Sequence, residues 1–337
     1  MRLKKIVALF CAALLLCAPT GCTSQQASDE PIVIKIAHTD SATRSTHLWS
    51  IWLGEYLEEK APGRFIVEVY PEGELGDTSE LLEDGLKEGT VNMVFDLSSL
   101  VAAAAGPEAA CIDLPYLYPT YEDWITGTFE NGGLELFQDS LKDSGFYCID
   151  MYYNGMRQVI SRTDTYTTPE EVEGLRIRIA RNLLNIEIWQ TMKAYPAPMS
   201  WGQVVSALEN GQIDALDHSL GVFNDFDLHK IAPNITLTNH ASSPFPIITS
   251  LEWIESLDPE MRNILEEGVH EMARQQRAEE RAMEDEYLKR FESEGARIEE
   301  LSSSQVAAFS EAVEPVYDTW RGIAGAEAVD AWLATAP

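Results

Sequence analysis

LLEDGLKEGTVNMVF (residues 81–95) and VVSALENGQIDALDH (residues 204–218) follow one grammar: an apolar stretch at helical spacing, a glycine, then a short apolar run. Gly89 and Gly211 stand where the helix sense stops and the strand sense begins. The unit occurs once in each half of the chain. The fold this predicts is two α/β lobes with a cleft between them, ligand lying beyond the carboxyl ends of the strands.

The flanking segments extend the pattern. PIVIKIAHTD (31–40) reads as a buried strand, and THLWSIWLGEYLEEK (46–60) as a helix through Leu48, Ile51, Trp52, Tyr56 and Leu57, stopped by Pro62-Gly63. RFIVEVYPEGELG (64–76) is an alternating strand and a turn, and MVFDLSSL (93–100) a third strand, giving βαβαβ and a parallel sheet. In the second half, FYCIDMYYNGMRQVIS (146–161) holds two strands around a glycine. RIRIA (176–180) is a strand, and RNLLNIEIWQTMKAY (181–195) an amphipathic helix. From Asp258 to Gly295 the chain reads as one long surface helix. Met261, Ile264, Leu265, Val269 and Met272 form its apolar face, and residues 274–286 its solvated one.

The N-terminus sets a compartment. Arg2, Lys4 and Lys5 precede an apolar run from Ile6 to Ala18, too short for a bilayer span and of signal-peptide length. Pro19-Thr20-Gly21-Cys22 resembles a bacterial lipobox, with Pro19 a departure from the usual leucine-like residue. Residues 1–21 are expected to be a lipoprotein signal peptide, Cys22 the acylated mature N-terminus, and residues 22–31 a flexible tether. Three of the five cysteines fall in this leader, so no disulfide framework exists. Cys111 and Cys148 could form one bridge; two separate buried thiols is the reading adopted.

Lys+Arg number 24 against 55 Asp+Glu, a net charge of −31, and loss of the three leader cations takes it to about −34. Such a chain repels nucleic acid and anionic headgroups. Against that background GLRIRIARN (174–182) carries three arginines. No GxSxG, Walker loop or GxGxxG occurs, and VHEMA (269–273) lacks the second histidine of HExxH. No enzyme, cofactor or metal centre is expected. The alternative of a purely structural lipoprotein leaves the arginine strand unexplained.

Six phrases in order resemble one family: VEVYPEGELGD, IDLPYLYPTYED, YNGMRQVISR, TPEEVEGLRIRIARN, PMSWGQVVSALENGQIDALDH and LTNHASSPFP, within a resemblance running from about Ile32 to Trp320. It is to the solute-binding proteins of TRAP (tripartite ATP-independent) transporters, of the DctP type. The resemblance implies an α/β, two-lobed, periplasmic-binding-protein-like fold with a hinge cleft and a long C-terminal helix. Residues 32–154 with 240–280 would form lobe I, and 155–239 with 281–337 lobe II. It implies capture of a small organic acid and delivery to the small and large subunits of a membrane permease. The protein would be extracytoplasmic, either lipid-anchored to the outer face of the cytoplasmic membrane or periplasmic. A binding protein of an ATP-driven importer is the more distant alternative.

The resemblance also assigns residues. Arg178 falls on the family's signature arginine, whose planar guanidinium clamps the ligand carboxylate with two parallel bonds. Arg176 stays a surface charge and Arg181 a candidate for the cleft edge. Arg157 matches a second arginine that reaches the ligand, and Trp201 an aromatic residue packed over it. His218 stands where the family has asparagine and allows a positive charge, and Gln203 replaces a glutamate. His38, Asp77, Ser98 and Asn154 lie at strand ends or turns that can face the cleft. Hydroxyl-reading groups and an acidic side chain in the cleft favour a sugar acid such as a uronate or aldonate. A C4-dicarboxylate or 2-oxo acid is the alternative.

Overall fold

The structure, a computed structural model, describes residues 30–337. The signal peptide, Cys22 and most of the expected tether lie outside the described residues. Eleven strands form two sheets among the described residues. The first contains β1 (Ile32–His38), β2 (Phe65–Tyr70), β3 (Met93–Phe95), β4 (Phe146–Met156) and β10 (Ser242–Ser250), ordered β2-β1-β3-β10-β4. The second contains β5 (Gln158–Ser161), β6 (Arg176–Ile179), β7 (Tyr195–Pro198), β8 (Ala215–His218), β9 (Asn234–Leu237) and β11 (Arg297–Glu300), ordered β11-β9-β5-β8-β6-β7. The two copies of the opening motif each end in a strand, β3 in one sheet and β8 in the other.

The expected parallel pairing holds for β1 with β2 and β3, and for β6 with β7 and β8. The sheets are nevertheless mixed. β10 runs antiparallel to both β3 and β4, and β5 antiparallel to β8 and β9. Strand β7, Tyr-Pro-Ala-Pro, lies on an edge, where its prolines cost no ladder bond on the open side.

The chain passes between the units at Arg157, linking β4 to β5, and at 238–241, linking β9 to β10. The long helix Pro259–Ser293 crosses as a third connection. Asp258 caps it, Oδ1 accepting from Glu260 N at 2.9 Å, and Pro259 takes the first turn, where no N–H is needed. It packs on β4 and helix Ser45–Lys60 on one side and on helix Leu220–Asp225 on the other. At the first crossover Gly155 has φ +97°, and an added Cβ would come 2.9 Å from Ser219 Cβ, so the close approach of the units there requires glycine.

The C-terminus departs from the expected lobe boundary. Helix Ser303–Ile323 packs against helix Leu183–Thr191 of the second unit. Helix Ala326–Leu333 instead packs on residues 109–113 and 133–141, beside the first sheet. Thr335 fixes it there, its Oγ1 2.5 Å from Tyr118 Oη and its carbonyl accepting from Asn131 Nδ2 at 2.9 Å. Buried Trp320 and Trp332 belong to a core that includes Trp124 and Phe137 of the first unit and Ile177 and Trp189 of the second. Burial of each such ring contributes about 2–3 kcal/mol, so this shared core holds the units to one another. Cys111 and Cys148 are free, buried thiols.

Candidate functional site

A cavity of about 220 Å³ opens between the units, beyond the carboxyl ends of β1, β3, β6 and β8. Alternation along β6 sends Ile177 and Ile179 into the core and the arginines to the other face. Arg176, at the outer end, is half-exposed and bidentate on Asp214, Nε to Oδ2 at 2.7 Å. Arg178 is 4 % exposed and lines the cavity. Its Nη2 donates to the Met199 carbonyl at 2.9 Å and its Nε to the same oxygen at 3.3 Å. Nη1 is buried without a partner. Burial pulls this guanidinium down to about 10; nearby Asp217 resists the shift and Arg157 adds to it. A charge held out of water with an open donor is a receptor for an anionic oxygen.

The surroundings of Arg178 are aromatic. Its guanidinium carbon lies 5.3 Å from the centre of the Trp201 ring, which meets His218 and Phe226 edge-on at 5.5 and 4.8 Å. Ser219 N donates to His218 Nδ1 at 2.9 Å, leaving Nε2 to carry the ring proton. Burial, with Arg157 and Arg178 close by, holds this imidazole well below its usual range. His218 is therefore a neutral donor, correcting the expectation that it could bring positive charge.

Arg178, Trp201, His218 and Asp77 thus share the cavity wall, and Arg181 joins them at an exposed position. Four expected residues lie behind that wall. Arg157 is clamped on Asp217, Nε to Oδ2 at 3.1 Å and Nη2 to Oδ1 at 3.0 Å. Asp217 is 1 % exposed and needs a countercharge. Burial alone would raise its carboxyl, but Arg157 and His240 hold it well below the ordinary range. Asn154 accepts from Arg44 Nη2 at 2.9 Å. His38 stacks on Phe95 and bonds His47, Nε2 to Nδ1 at 3.1 Å. Ser98 donates to Asp113 Oδ1 at 2.6 Å.

The cavity also exposes residues the sequence reading missed, among them Asp40, Asp96, Asp225 and Phe245. Asp96 directly follows β3, so the strand-end rule could have found it. Asp225 ends a short helix and carries no local signal. Elsewhere, Asp227, His229 and Glu294 bring three metal-type donor atoms within 4.8 Å. Lys230 and Arg290 already neutralise both of those carboxylates. No helix among the described residues is long and apolar enough to cross a membrane.

The chain is similar to known proteins in sequence and in fold. The chain is 25 % identical over 278 residues to the 2,3-diketo-L-gulonate-binding periplasmic protein of Escherichia coli, with 82 % of each chain covered. It is 24 % identical over 306 residues to the C4-dicarboxylate-binding protein of Bacillus subtilis, covering 90 % of this chain and 87 % of that one. The sugar acid binding protein of Advenella mimigardefordensis, solved with galactonate, superposes with a TM-score of 0.84 at 21 % identity, covering 91 % of this chain and 98 % of that one. The family described as bacterial extracellular solute-binding protein, family 7 (DctP), matches residues 36–322, and the chain belongs to that family.

Proposed function

We propose that the protein captures one small organic acid between its two units and delivers it to a TRAP-type secondary transporter with small and large membrane subunits. The carboxylate is held by Arg178, with Trp201 and His218 beside it. The observation that carries this reading is the buried, partnerless Nη1 of Arg178 at the cavity. The favoured ligand is a sugar acid, an aldonate or uronate. The neutral His218 donor, the Trp201 ring and the cavity aspartates suit a polyhydroxy chain. Arg157 acts behind the site, holding Asp217 next to His218. Acylation at Cys22 would tether the protein to the outer face of the membrane.

A dicarboxylate or 2-oxo acid is the second reading, favoured by Arg181 as another guanidinium at the cavity. A thermal-shift screen of residues 27–337 against aldonates, uronates, dicarboxylates, 2-oxo acids and neutral sugars tests both. A ligand that binds only the folded state raises the melting temperature. Shifts with aldonates or uronates are expected. Shifts with neutral sugars alone would refute the carboxylate clamp.

A further inference from the structure

The two walls of the cavity carry opposite charge. The first unit contributes Asp40, Asp77 and Asp96 and no lysine or arginine, whereas both cavity arginines come from the second. Three aspartates on or near these walls are already engaged. Asp40 Oδ2 accepts from Thr46 Oγ1 at 2.5 Å, and Asp77 Oδ1 from Ser79 N at 3.0 Å. Asp96 accepts from Thr39 at 2.8 Å and from Leu97 N at 2.7 Å. Asp225 is different. It leans on adjacent Asn224 and reaches Arg44 Nη1 at 3.5 Å, beyond direct hydrogen-bond length. Arg44 spends its Nη2 on Glu280 at 3.0 Å and Asn154 at 2.9 Å, while its Nη1, the atom that faces Asp225, is buried without a direct hydrogen bond. The Asp225 side chain is 14 % exposed, and it lines the cavity. Burial raises its carboxyl to about 6 against the pull of Arg44, so it is chiefly ionised at neutral pH and short of donors.

We propose that Asp225 is a specificity-determining residue: it accepts a hydrogen bond from the end of the ligand remote from the carboxylate, and it rejects a second carboxylate there. An ionised carboxylate only accepts, so its partner must be a donor, either a hydroxyl or an ammonium group. A second carboxylate would meet like charge there and would offer Asp225 no donor. The inference rests on the Arg178 clamp, which fixes which end of the ligand is the carboxylate.

Calorimetry with D-galactonate, 4-aminobutyrate and succinate tests it. The wild type is expected to bind galactonate or 4-aminobutyrate at least about 100-fold tighter than succinate. Whichever of the two binds better identifies the donor as hydroxyl or ammonium. Asp225→Asn is expected to narrow that preference by about tenfold or more, with succinate gaining affinity. Asp225→Glu, which keeps the charge, is expected to retain it. If Asp225→Asn lowers the unliganded melting temperature, the Glu variant still decides, because a preference lost there overturns the proposal. Wild-type preference for succinate, or a ratio unchanged in Asp225→Asn, overturns the Asp225 assignment and leaves the clamp standing. Undiminished binding by Arg178→Ala overturns the clamp and this inference with it, and no binding of any of the three acids by the wild type overturns this inference alone.

Discussion

Replacing Arg178 by alanine should move two observables in opposite directions. Without ligand, the guanidinium is a buried charge whose Nη1 has no partner. Its fall from the usual value to about 10 corresponds to about 3 kcal/mol of uncompensated desolvation. Removing it relieves that cost, while the Met199 carbonyl loses its donor and Trp201 a neighbour. The unliganded variant should therefore melt at or above the wild-type temperature. With ligand the balance reverses. A carboxylate brought into the cavity would be buried without its countercharge, at about 3–5 kcal/mol, which is roughly 10²- to 10³-fold or more in Kd. Arg178→Lys keeps the charge but cannot hold Met199 O and present parallel donors to a carboxylate, so a loss of about tenfold or more is expected. Calorimetry measures the affinities, and a melting scan without ligand measures the stability. A Kd for Arg178→Ala within about threefold of wild type would sink the clamp. An unliganded Tm several degrees lower would show that Arg178 serves the fold instead.

Other expectations concern the frame of the site. An added Cβ at Gly221 would lie 2.6 Å from Glu280 Oε1 and 3.0 Å from Arg44 Nη2, so Gly221→Ala should wedge the units apart there. Ligand affinity should fall about tenfold, and an unchanged Kd would count against the contact as part of the closed form. Burial raises the Asp113 carboxyl to about 7, with Ser98 and Arg157 opposing the rise. The folded chain then binds this proton more tightly than the unfolded chain. Asp113 therefore destabilises increasingly as pH rises from about 4 to 7, and by its full amount above 7. Relative to Asp113→Asn, wild-type stability should drop by about 4 kcal/mol between pH 4 and 8 in urea titrations. A pH-independent difference would refute this. Burial pushes the Cys111 thiol up to about 12 and that of Cys148 well above its usual value. Residues 27–337, whose two cysteines are these, should react with a disulfide reagent only after denaturation. Fast reaction of the native protein would contradict the burial of both thiols.

The strands that bear the site were legible because their signals are local. Alternation in RIRIA and the glycine stops at 89 and 211 need only a few residues to be read. β10 was not, because Pro244 and Pro246 argue against a central strand. Both pair with β4 at Tyr153 and Met151, beyond the stretch 247–249 that also pairs with β3, so their missing N–H groups spoil no ladder on that open side. Arg178 and Trp201 could be placed from strand direction and family phrase. What spacing could not convey was competition for the other groups. Asp217 adjoins His218 in sequence, yet nothing local indicates that it takes the Arg157 guanidinium. Arg44 and Asp225 are far apart in sequence and meet across the two units, with Glu280 of the long helix also on Arg44.

The return of helix Ala326–Leu333 to the first unit has a consequence for affinity. The chain leaves the second unit with helix Ser303–Ile323, which already reaches back through Tyr317 Oη to the Pro115 carbonyl at 2.5 Å, and it ends on the first. This connection adds to the two strand crossovers and the long helix. Each tie raises the effective concentration of one unit in the presence of the other. The open ensemble is correspondingly narrower and has less freedom to lose when a ligand arrives. More of the contact energy of a small acid then remains as net binding, so a ligand of few atoms can be held without a large contact area.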